Sequence, residues 1–381
     1  MAVQLKTDRV LFYTVLIIVM FGIVILYSAS SVMAQTKHLS EWYFVGRQFV
    51  WMVLGVGAML YLKNTDYRRL QSTTVAFSAV GCMIVLLGIV YFLDSGHHRW
   101  LRFGALGLQL QPSELAKPAL VIFLAFFVTW RARAINTRYT LLPAALAGGV
   151  IIVIVALADL GTAVVLGVTA TVMFFVAGLH WRYCAAAGAL ASIAFVAFTL
   201  KEPYRVKRIW GFFDPKYTYL EKLPEDNWIR RYLQKSLTTK DTSYQAEMSK
   251  VAFGSGGVFG AGLGESRQKL LYLPEAHTDF ILAIIGEETG LIGTVGVLAC
   301  FLIIFWRGLR ATVLAPDEFG RYLALGLTIV IVVQGLMNMT SVLGLMPTKG
   351  IPLPMISSGG SSLLCTLASL GILMNVSEHV G

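Results

Sequence analysis

Long apolar runs separated by short polar segments dominate the chain. A helix needs roughly 20 apolar residues to cross the hydrocarbon core of a bilayer, and ten runs approach that length. They lie at about 10–32, 47–63, 73–93, 113–130, 141–157, 160–178, 183–200, 280–306, 322–343 and 359–377. The pattern predicts an all-α integral membrane protein with about ten transmembrane helices, forming a single polytopic membrane domain over residues 1–381.

One polar segment is much longer than the others and predicts a large, charged loop over about 201–279, between helices seven and eight. From Arg205 to Tyr232 it mixes aromatic and basic residues, as a helix lying on a lipid headgroup surface would. The glycines between 254 and 264 permit positive φ angles and close backbone approach. They suit either a pyrophosphate-binding turn or a flexible linker.

Composition agrees with a membrane protein. The chain is 56% hydrophobic and 14% charged, with a mean hydropathy of +0.70, whereas a soluble domain is about 25% charged. Cys82, Cys184, Cys300 and Cys365 fall within predicted spans and show no metal-ligand spacing. No metal site and no cofactor is therefore readable in the sequence.

The positive charges of the short loops predict an orientation, because cytoplasmic loops are enriched in Lys and Arg. The five on one side are Lys37, Arg47, Arg99, Arg102 and Lys349. The twelve on the other side are Lys6, Arg9, Lys63, Arg68, Arg69, Arg131, Arg133, Arg138, Arg182, Arg307, Arg310 and Arg321. Both termini are predicted in the cytoplasm and the large loop outside. The net charge of +10 reflects this topology, and no nucleic-acid signature accompanies it.

Ionisable residues cluster where the large loop re-enters the membrane. Glu275, His277 and Asp279 lie there, where desolvation of charged groups is costly. We expect Asp279 to be the reactive carboxylate, able to take a proton from an attacking hydroxyl; ordinary caps at a wet loop end are the alternative. Glu287 and Glu288 lie two turns deeper. Either they face a wet cavity, or 280–288 is re-entrant and the true span is about 289–306.

A second group opens the fourth span. Pro112 and Ser113 are expected to break the chain and cap the helix there. Glu114 and Lys117 are three residues apart on one helix face and can pair. The pair is either a structural link between helices or a cationic wall for an anionic head group, with Glu114 fixing the lysine.

Three further places carry polar chemistry. In the outer loop between spans three and four, Arg99 and Arg102 could bind pyrophosphate or only contact lipid headgroups. A helix cap is the simplest account of Asp159. The proline-rich stretch from Met346 to Ser362 contains Lys349 and Ser357. This stretch has two alternative interpretations. Either its backbone amides and hydroxyls line a polar cavity, or its small residues allow tight helix packing.

Together these segments resemble the shape, elongation, division and sporulation (SEDS) family of bacterial cell-wall synthesis, over essentially the whole chain. The motifs that carry the resemblance are His98-Arg99-Trp100-Leu101, Gln111-Pro112-Ser113-Glu114-Leu115-Ala116-Lys117, Gly254-Ser255-Gly256-Gly257, Leu273-Pro274-Glu275-Ala276-His277-Thr278-Asp279-Phe280 and Pro347-Thr348-Lys349-Gly350. The last two are most similar to the family's cell-division members.

The resemblance implies an inverting peptidoglycan glycosyltransferase of the plasma membrane, located at the division septum, that polymerises lipid II at the outer leaflet. Asp279 matches the family's essential aspartate and is expected to act as the base. Lys117, held by Glu114, and Arg99 or Arg102 are expected near the leaving undecaprenyl pyrophosphate; Glu275, His277, Lys349 and Ser357 complete the expected substrate-binding set. A divalent cation (Mg or Mn) could share that task. The implied partners are a class B penicillin-binding transpeptidase and other division-complex membrane proteins.

Three alternatives remain at this stage. A lipid II flippase would also use many spans with intramembrane charges, but it should spread them along a path through the membrane. A non-catalytic scaffold would depend little on the Asp279 carboxylate. An elongation-type polymerase would share the chemistry and differ in its cellular role.

Overall fold

The chain forms a bundle of helices, as expected from its sequence. A computed structural model describes residues 7–36, 38, 40–94, 99–103, 108–131, 135–201, 203–214, 222, 224, 227, 242–270, 273–274, 276–347 and 350–379. Within these residues the α-helices are α1 (Arg9–Thr36), α2 (Tyr43–Lys63), α3 (Thr73–Leu93), α4 (Pro112–Trp130), α5 (Arg138–Ala158), α6 (Leu160–Val176), α7 (Trp181–Lys201), α8 (Pro203–Phe213), α9 (Thr242–Gly256), α10 (Ile281–Leu314), α11 (Glu318–Val342) and α12 (Gly360–Glu378).

The predicted class, an all-α integral membrane protein, is confirmed. Eight helices of the described part are long and apolar enough to cross a membrane: α1, α2, α3, α4, α7, α10, α11 and α12. Leu146–Ala158 of α5 and the whole of α6 are shorter apolar helices. The total of ten spans therefore stays a prediction. An unpredicted antiparallel hairpin, β1 (Leu101–Phe103) and β2 (Leu108–Leu110), precedes α4.

Helices α4, α11 and α12 are the most enclosed, whereas α7 is almost entirely exposed. Close packing depends on small residues. A Cβ added at Gly371 of α12 would lie 2.4 Å from the Met59 carbonyl oxygen of α2. Hydrophobic burial gives little drive for helix association within lipid, so such close backbone contact is an important source of attraction.

One end of the bundle is closed by polar contacts between distant segments. Asp8, which precedes α1, lies 2.6 Å from Arg307 of α10. Tyr67, between α2 and α3, donates its hydroxyl to Asp317, the N-cap of α11. Burial, followed by this hydrogen bond to a carboxylate, raises the pKa of Tyr67 above its usual value. The segment containing Asp279 lies at the opposite end of the bundle.

Helix α10 is broken near its start. Gly290 has φ 67° and ψ −160°, which separates Ile281–Thr289 from the longer part of the helix. The chain after α9 fills the break: Ala261 N–H donates to the Glu287 carbonyl at 2.8 Å, and Leu291 N–H donates to the Gly257 carbonyl at 3.0 Å. The expected continuous span over 280–306 is therefore interrupted, at the place that the re-entrant alternative requires.

The large polar segment is less loop-like than expected, because it contains helices α8 and α9. Helix α8 covers the first part of the aromatic and basic stretch. The later part of that stretch, including Trp228 and Tyr232, lies outside the described residues. Gly260 has φ 82°, and a Cβ there would lie 2.2 Å from the Glu288 carbonyl oxygen. Gly260 thus serves close packing against α10, and phosphate contact by the glycine-rich segment stays a prediction.

We expect Gly290→Ala to destabilise the protein. A side chain at this φ costs about 1–3 kcal/mol, and the added Cβ would lie 2.4 Å from the Gly260 nitrogen. The measurement is the apparent melting temperature in detergent, with Gly296→Ala as control. Gly296 lies on the same helix, and a Cβ there would meet nothing within 4 Å. Equal melting temperatures for the two variants would contradict this account of the break.

Candidate functional site

The half-buried Asp279 lies just before α10, and its backbone is held by a side chain from α11. The Asn338 Nδ2 donates to the Asp279 carbonyl at 2.8 Å and to the Ile351 carbonyl at 2.8 Å. Asn338 is only 1% exposed. A single buried amide therefore joins the Asp279 segment to the segment that precedes α12.

Ser357 joins the same two segments. Its hydroxyl donates to the Thr278 carbonyl at 2.6 Å, and the Ser358 N–H donates to the His277 carbonyl at 3.0 Å. The structure thus brings together three of the residues singled out from the sequence: Asp279, His277 and Ser357. The hydroxyl of Ser357 fixes backbone here, so its predicted contact with substrate stays a prediction.

The Asp279 carboxylate lies against Gly350. A Cβ added at Gly350 would be 2.9 Å from the Asp279 Oδ2. The absence of a side chain at this position therefore leaves room for the carboxylate and for whatever approaches it.

The predicted Glu114–Lys117 pair is present and buried. The Lys117 Nζ lies 2.7 Å from the Glu114 Oε1 and 2.5 Å from the Gln334 Oε1 of α11. The Gln334 Nε2 in turn donates to the Pro352 carbonyl at 3.0 Å. Because an unpaired ammonium would be costly at this depth, these partners explain how Lys117 is accommodated.

The expected Ser113 cap of α4 is wrong. The helix begins one residue earlier, at Pro112, and its N-cap residue, Gln111, makes no side-chain capping bond. Proline suits the first helical position because it has no N–H to leave unpaired. Ser113 therefore lies inside the first turn, where it is buried.

Sequence reasoning missed Gln334 and Asn338, which connect the two charged groups. They lie four residues apart and hence on one face of α11. Gln334 links Lys117 to Pro352, and Asn338 links Asp279 to the neighbouring Ile351. The available signal was two amide side chains inside an apolar run, where polar residues are costly and commonly functional. The Glu114 Oε2 and Asn338 Oδ1 are buried and have no hydrogen-bond partner among the described residues.

Arg99 has a backbone carbonyl as its partner rather than a member of this network. Its Nε and Nη2 donate to the Ala158 carbonyl at the end of α5, at 2.7 and 2.5 Å. This contact favours a structural role, and pyrophosphate binding by Arg99 stays a prediction.

The predicted helix cap at Asp159 is confirmed: the Asp159 Oδ1 accepts from the Gly161 N–H at 2.9 Å, at the start of α6.

Glu287 and Glu288 have protein partners instead of a wet cavity. The Glu288 Oε1 lies 3.1 Å from the Lys269 Nζ and accepts from the Ser28 hydroxyl at 2.5 Å. Glu287 accepts from the Ser266 hydroxyl and from the Arg267 N–H. The two glutamates therefore fasten the polar loop to the helical segment that begins directly after Asp279.

Several predicted residues cannot be placed in this arrangement. Glu275 and Lys349 lie outside the described residues, as does the side chain of Arg102. Within the part of the chain that is described, no three His, Cys, Asp or Glu residues come together as a metal site. The predicted divalent cation stays a prediction, and no step below depends on it.

The fold and the site define a polytopic helical membrane protein with a buried polar centre at one end of its helices. Lys117 and the Asp279 backbone are both linked there to the segment that precedes α12, through Gln334 and Asn338. Residues 8–381 match the Cell cycle protein family of FtsW, RodA and SpoVE, and the chain belongs to that family. The resemblance read from the motifs is confirmed.

Individual proteins support the same family. The chain is 39% identical to the probable peptidoglycan glycosyltransferase FtsW of Geobacter sulfurreducens, with 98% of this chain and 96% of the relative covered. It resembles a chain from a peptidoglycan synthase complex that coordinates polymerization and crosslinking, with a TM-score of 0.75, 27% identity and 98% coverage of both. It also resembles the rod shape determining protein RodA of Thermus thermophilus, with a TM-score of 0.68, 27% identity, and 99% and 98% coverage.

We expect Lys117→Met to destabilise the protein by about 3–5 kcal/mol, because it leaves the buried Glu114 carboxylate without its cation. The double variant Glu114→Gln with Lys117→Met removes both charges and should recover much of the loss. Thermal unfolding of the detergent-purified variants tests this. A double variant that melts as early as Lys117→Met alone would contradict the proposed pairing energy.

Proposed function

We propose that this chain is a peptidoglycan glycosyltransferase that polymerises lipid II at the outer leaflet of the plasma membrane during septal cell-wall synthesis. The observation that carries the proposal is the half-buried Asp279, whose backbone carbonyl accepts from Asn338 and whose neighbour Thr278 accepts from Ser357. The names of the similar proteins supply the reaction class, and the FtsW name supports the role in division.

The chemistry is a displacement at the anomeric carbon of the lipid-linked donor chain. The 4-hydroxyl oxygen of the next lipid II forms the new bond to that carbon, and its proton passes to the Asp279 carboxylate. The bond from the anomeric carbon to the pyrophosphate oxygen breaks, and undecaprenyl pyrophosphate leaves with the electron pair. Attack opposite the leaving group inverts the anomeric centre.

Lys117 is the cation that the site offers to the leaving pyrophosphate. Its contact with Glu114 fixes its position, and the network through Gln334 ties it to the segment that also contacts Asp279. A fixed positive charge stabilises negative charge that develops on the leaving group, without reorganisation during the reaction.

The buried charges favour a polymerase over a flippase. A transport path needs ionisable groups that a head group can contact along its way. The Lys269–Glu288 pair, which lies outside the proposed reaction site, is instead buried against protein partners. A polymerase requires such groups only where the reaction occurs.

The proposal includes a partner and a location. A class B penicillin-binding transpeptidase would cross-link the strands, and the similarity to a chain of a peptidoglycan synthase complex supports this kind of assembly. The division role implies that other division-complex membrane proteins are partners as well, and that the protein is located at the septum. The excess of Lys and Arg on one side supports cytoplasmic termini.

We expect Asp279→Asn to lower polymerisation of labelled lipid II by about 10²–10⁴-fold, because the amide cannot accept the proton. The assay resolves glycan strands made by the purified protein together with its transpeptidase. Glu265→Gln is the matched control, since it removes an exposed carboxylate from the same loop. A folded Asp279→Asn variant with wild-type activity would refute Asp279 as the base; lipid II crossing into proteoliposomes without polymerisation would promote the flippase.

We expect Asn338→Leu to lower kcat by on the order of tenfold to a hundredfold with a smaller change in KM, because it releases the Asp279 backbone. Thr328→Val is the control on the same helix: its buried hydroxyl donates within the helix, to the Ala324 carbonyl. The measurement is steady-state polymerisation by variants whose melting temperature is close to wild type. A change confined to KM would contradict a positioning role for Asn338.

A further inference from the structure

A cavity of about 200 Å³ lies beside the Asp279 segment, between the start of α2, the β-hairpin and the start of α12. His277 and Thr278 line it and lead directly to Asp279. Its remaining principal side chains come from α2, from the residue before β1 and from β2: Phe44, Arg47, Gln48, Trp51, Trp100 and Gln109. A cavity of this size holds one part of a lipid-linked substrate, since pockets for whole drug-sized ligands span about 300–1,000 Å³.

The lining suits a sugar ring. Trp51 and Trp100 offer flat apolar surfaces, which pack against the C–H faces of a pyranose. Gln109 and His277 add polar groups that can contact hydroxyls. Trp51 is fixed in place, because its indole lies where a side chain at Gly360 would otherwise be.

The charge of the lining suits an anion. No described residue forms an ion pair with Arg47, whose described polar contact is the Tyr43 hydroxyl at 3.5 Å. The first turn of α12 begins at Gly360 and faces this cavity at Gly359 and Gly360, where the Gly359 N–H donates to the Gln48 Oε1 at 3.3 Å. Ser362 in that turn carries a buried hydroxyl without a described partner. A guanidinium binds phosphate oxygens through charge-assisted hydrogen bonds.

The reaction requires two places for pyrophosphate, because the donor and the acceptor both carry one and only the donor's leaves. Lys117 occupies one place, fixed by Glu114 and Gln334. Arg47 lines the cavity, whose lining does not include Lys117, Glu114 or Gln334. The two cations are therefore available for two different pyrophosphates.

From these observations the geometry points to the cavity as the acceptor site: it binds the sugar and retained pyrophosphate of the incoming lipid II, with Arg47 contacting the phosphate. This assignment rests on the proposed glycosyltransferase function. It places the acceptor sugar beside His277 and Thr278, and hence close to the carboxylate that takes its proton.

The test is one round of coupling between two different substrates. The donor is a lipid-linked tetrasaccharide whose terminal 4-hydroxyl is blocked, so that it cannot accept; the acceptor is labelled lipid II. We expect Arg47→Gln to raise the KM for lipid II about tenfold or more, the effect of losing a hydrogen bond to a charged group. The KM for the donor should stay near wild type, and Arg47→Lys should restore part of the loss.

Lys201→Gln is the matched control, because Lys201 is an exposed basic residue at the same end of the bundle and outside the cavity. A rise in the donor KM instead of the acceptor KM would overturn the assignment, as would unchanged KM values for both substrates in folded Arg47→Gln. If the wild-type protein forms no product, the proposed function itself fails. In that case, the binding of fluorescent lipid II tests the assignment of the cavity separately. Equal affinities of the wild type and Arg47→Gln for lipid II would overturn the assignment.

Discussion

The Asn338 amide is the contact on which the arrangement of the site depends. It donates to two carbonyl groups from two irregular segments, one ending at Asp279 and one preceding α12. Irregular backbone that is buried among membrane helices has no water to satisfy it, so side chains must do so. Ser357 adds a second contact between the same segments. With both in place, the position of the Asp279 backbone follows from the packing of α11 and α12, which are among the most enclosed helices.

The buried charges, too, are stabilised by fixed side-chain partners, some of them on other elements. Lys117 is joined to Glu114 on its own helix and to Gln334 on α11. Lys269 of the polar loop is joined to Glu288 of α10 and to Ser28 of α1. Removing one member of such a pair leaves an uncompensated charge, so each pair ties together the elements that carry it. The first pair lies in the network of the site, and the second supports the loop leading to it.

The break in α10 explains why a long polar loop can lie so close to the helices. Gly290 interrupts the helix, and the chain after α9 donates to the carbonyl groups near the interruption. The loop thereby becomes part of the packed structure while Asp279 stays at the start of the broken helix. The cavity lined by Trp51, Trp100 and Arg47 adjoins this segment at His277 and Thr278.

The sequence by itself determined the membrane class, the family and the pairing of Glu114 with Lys117. Apolar run length follows from bilayer thickness, the motifs are contiguous, and a spacing of three residues sets a common helix face. Only the tertiary structure decided that Glu288 contacts Ser28, 260 residues away in sequence, that Arg99 holds the end of α5, and that Asn338 holds the Asp279 backbone. Local patterns carry no information on such partners, because helix packing alone determines which distant backbone groups meet a given side chain.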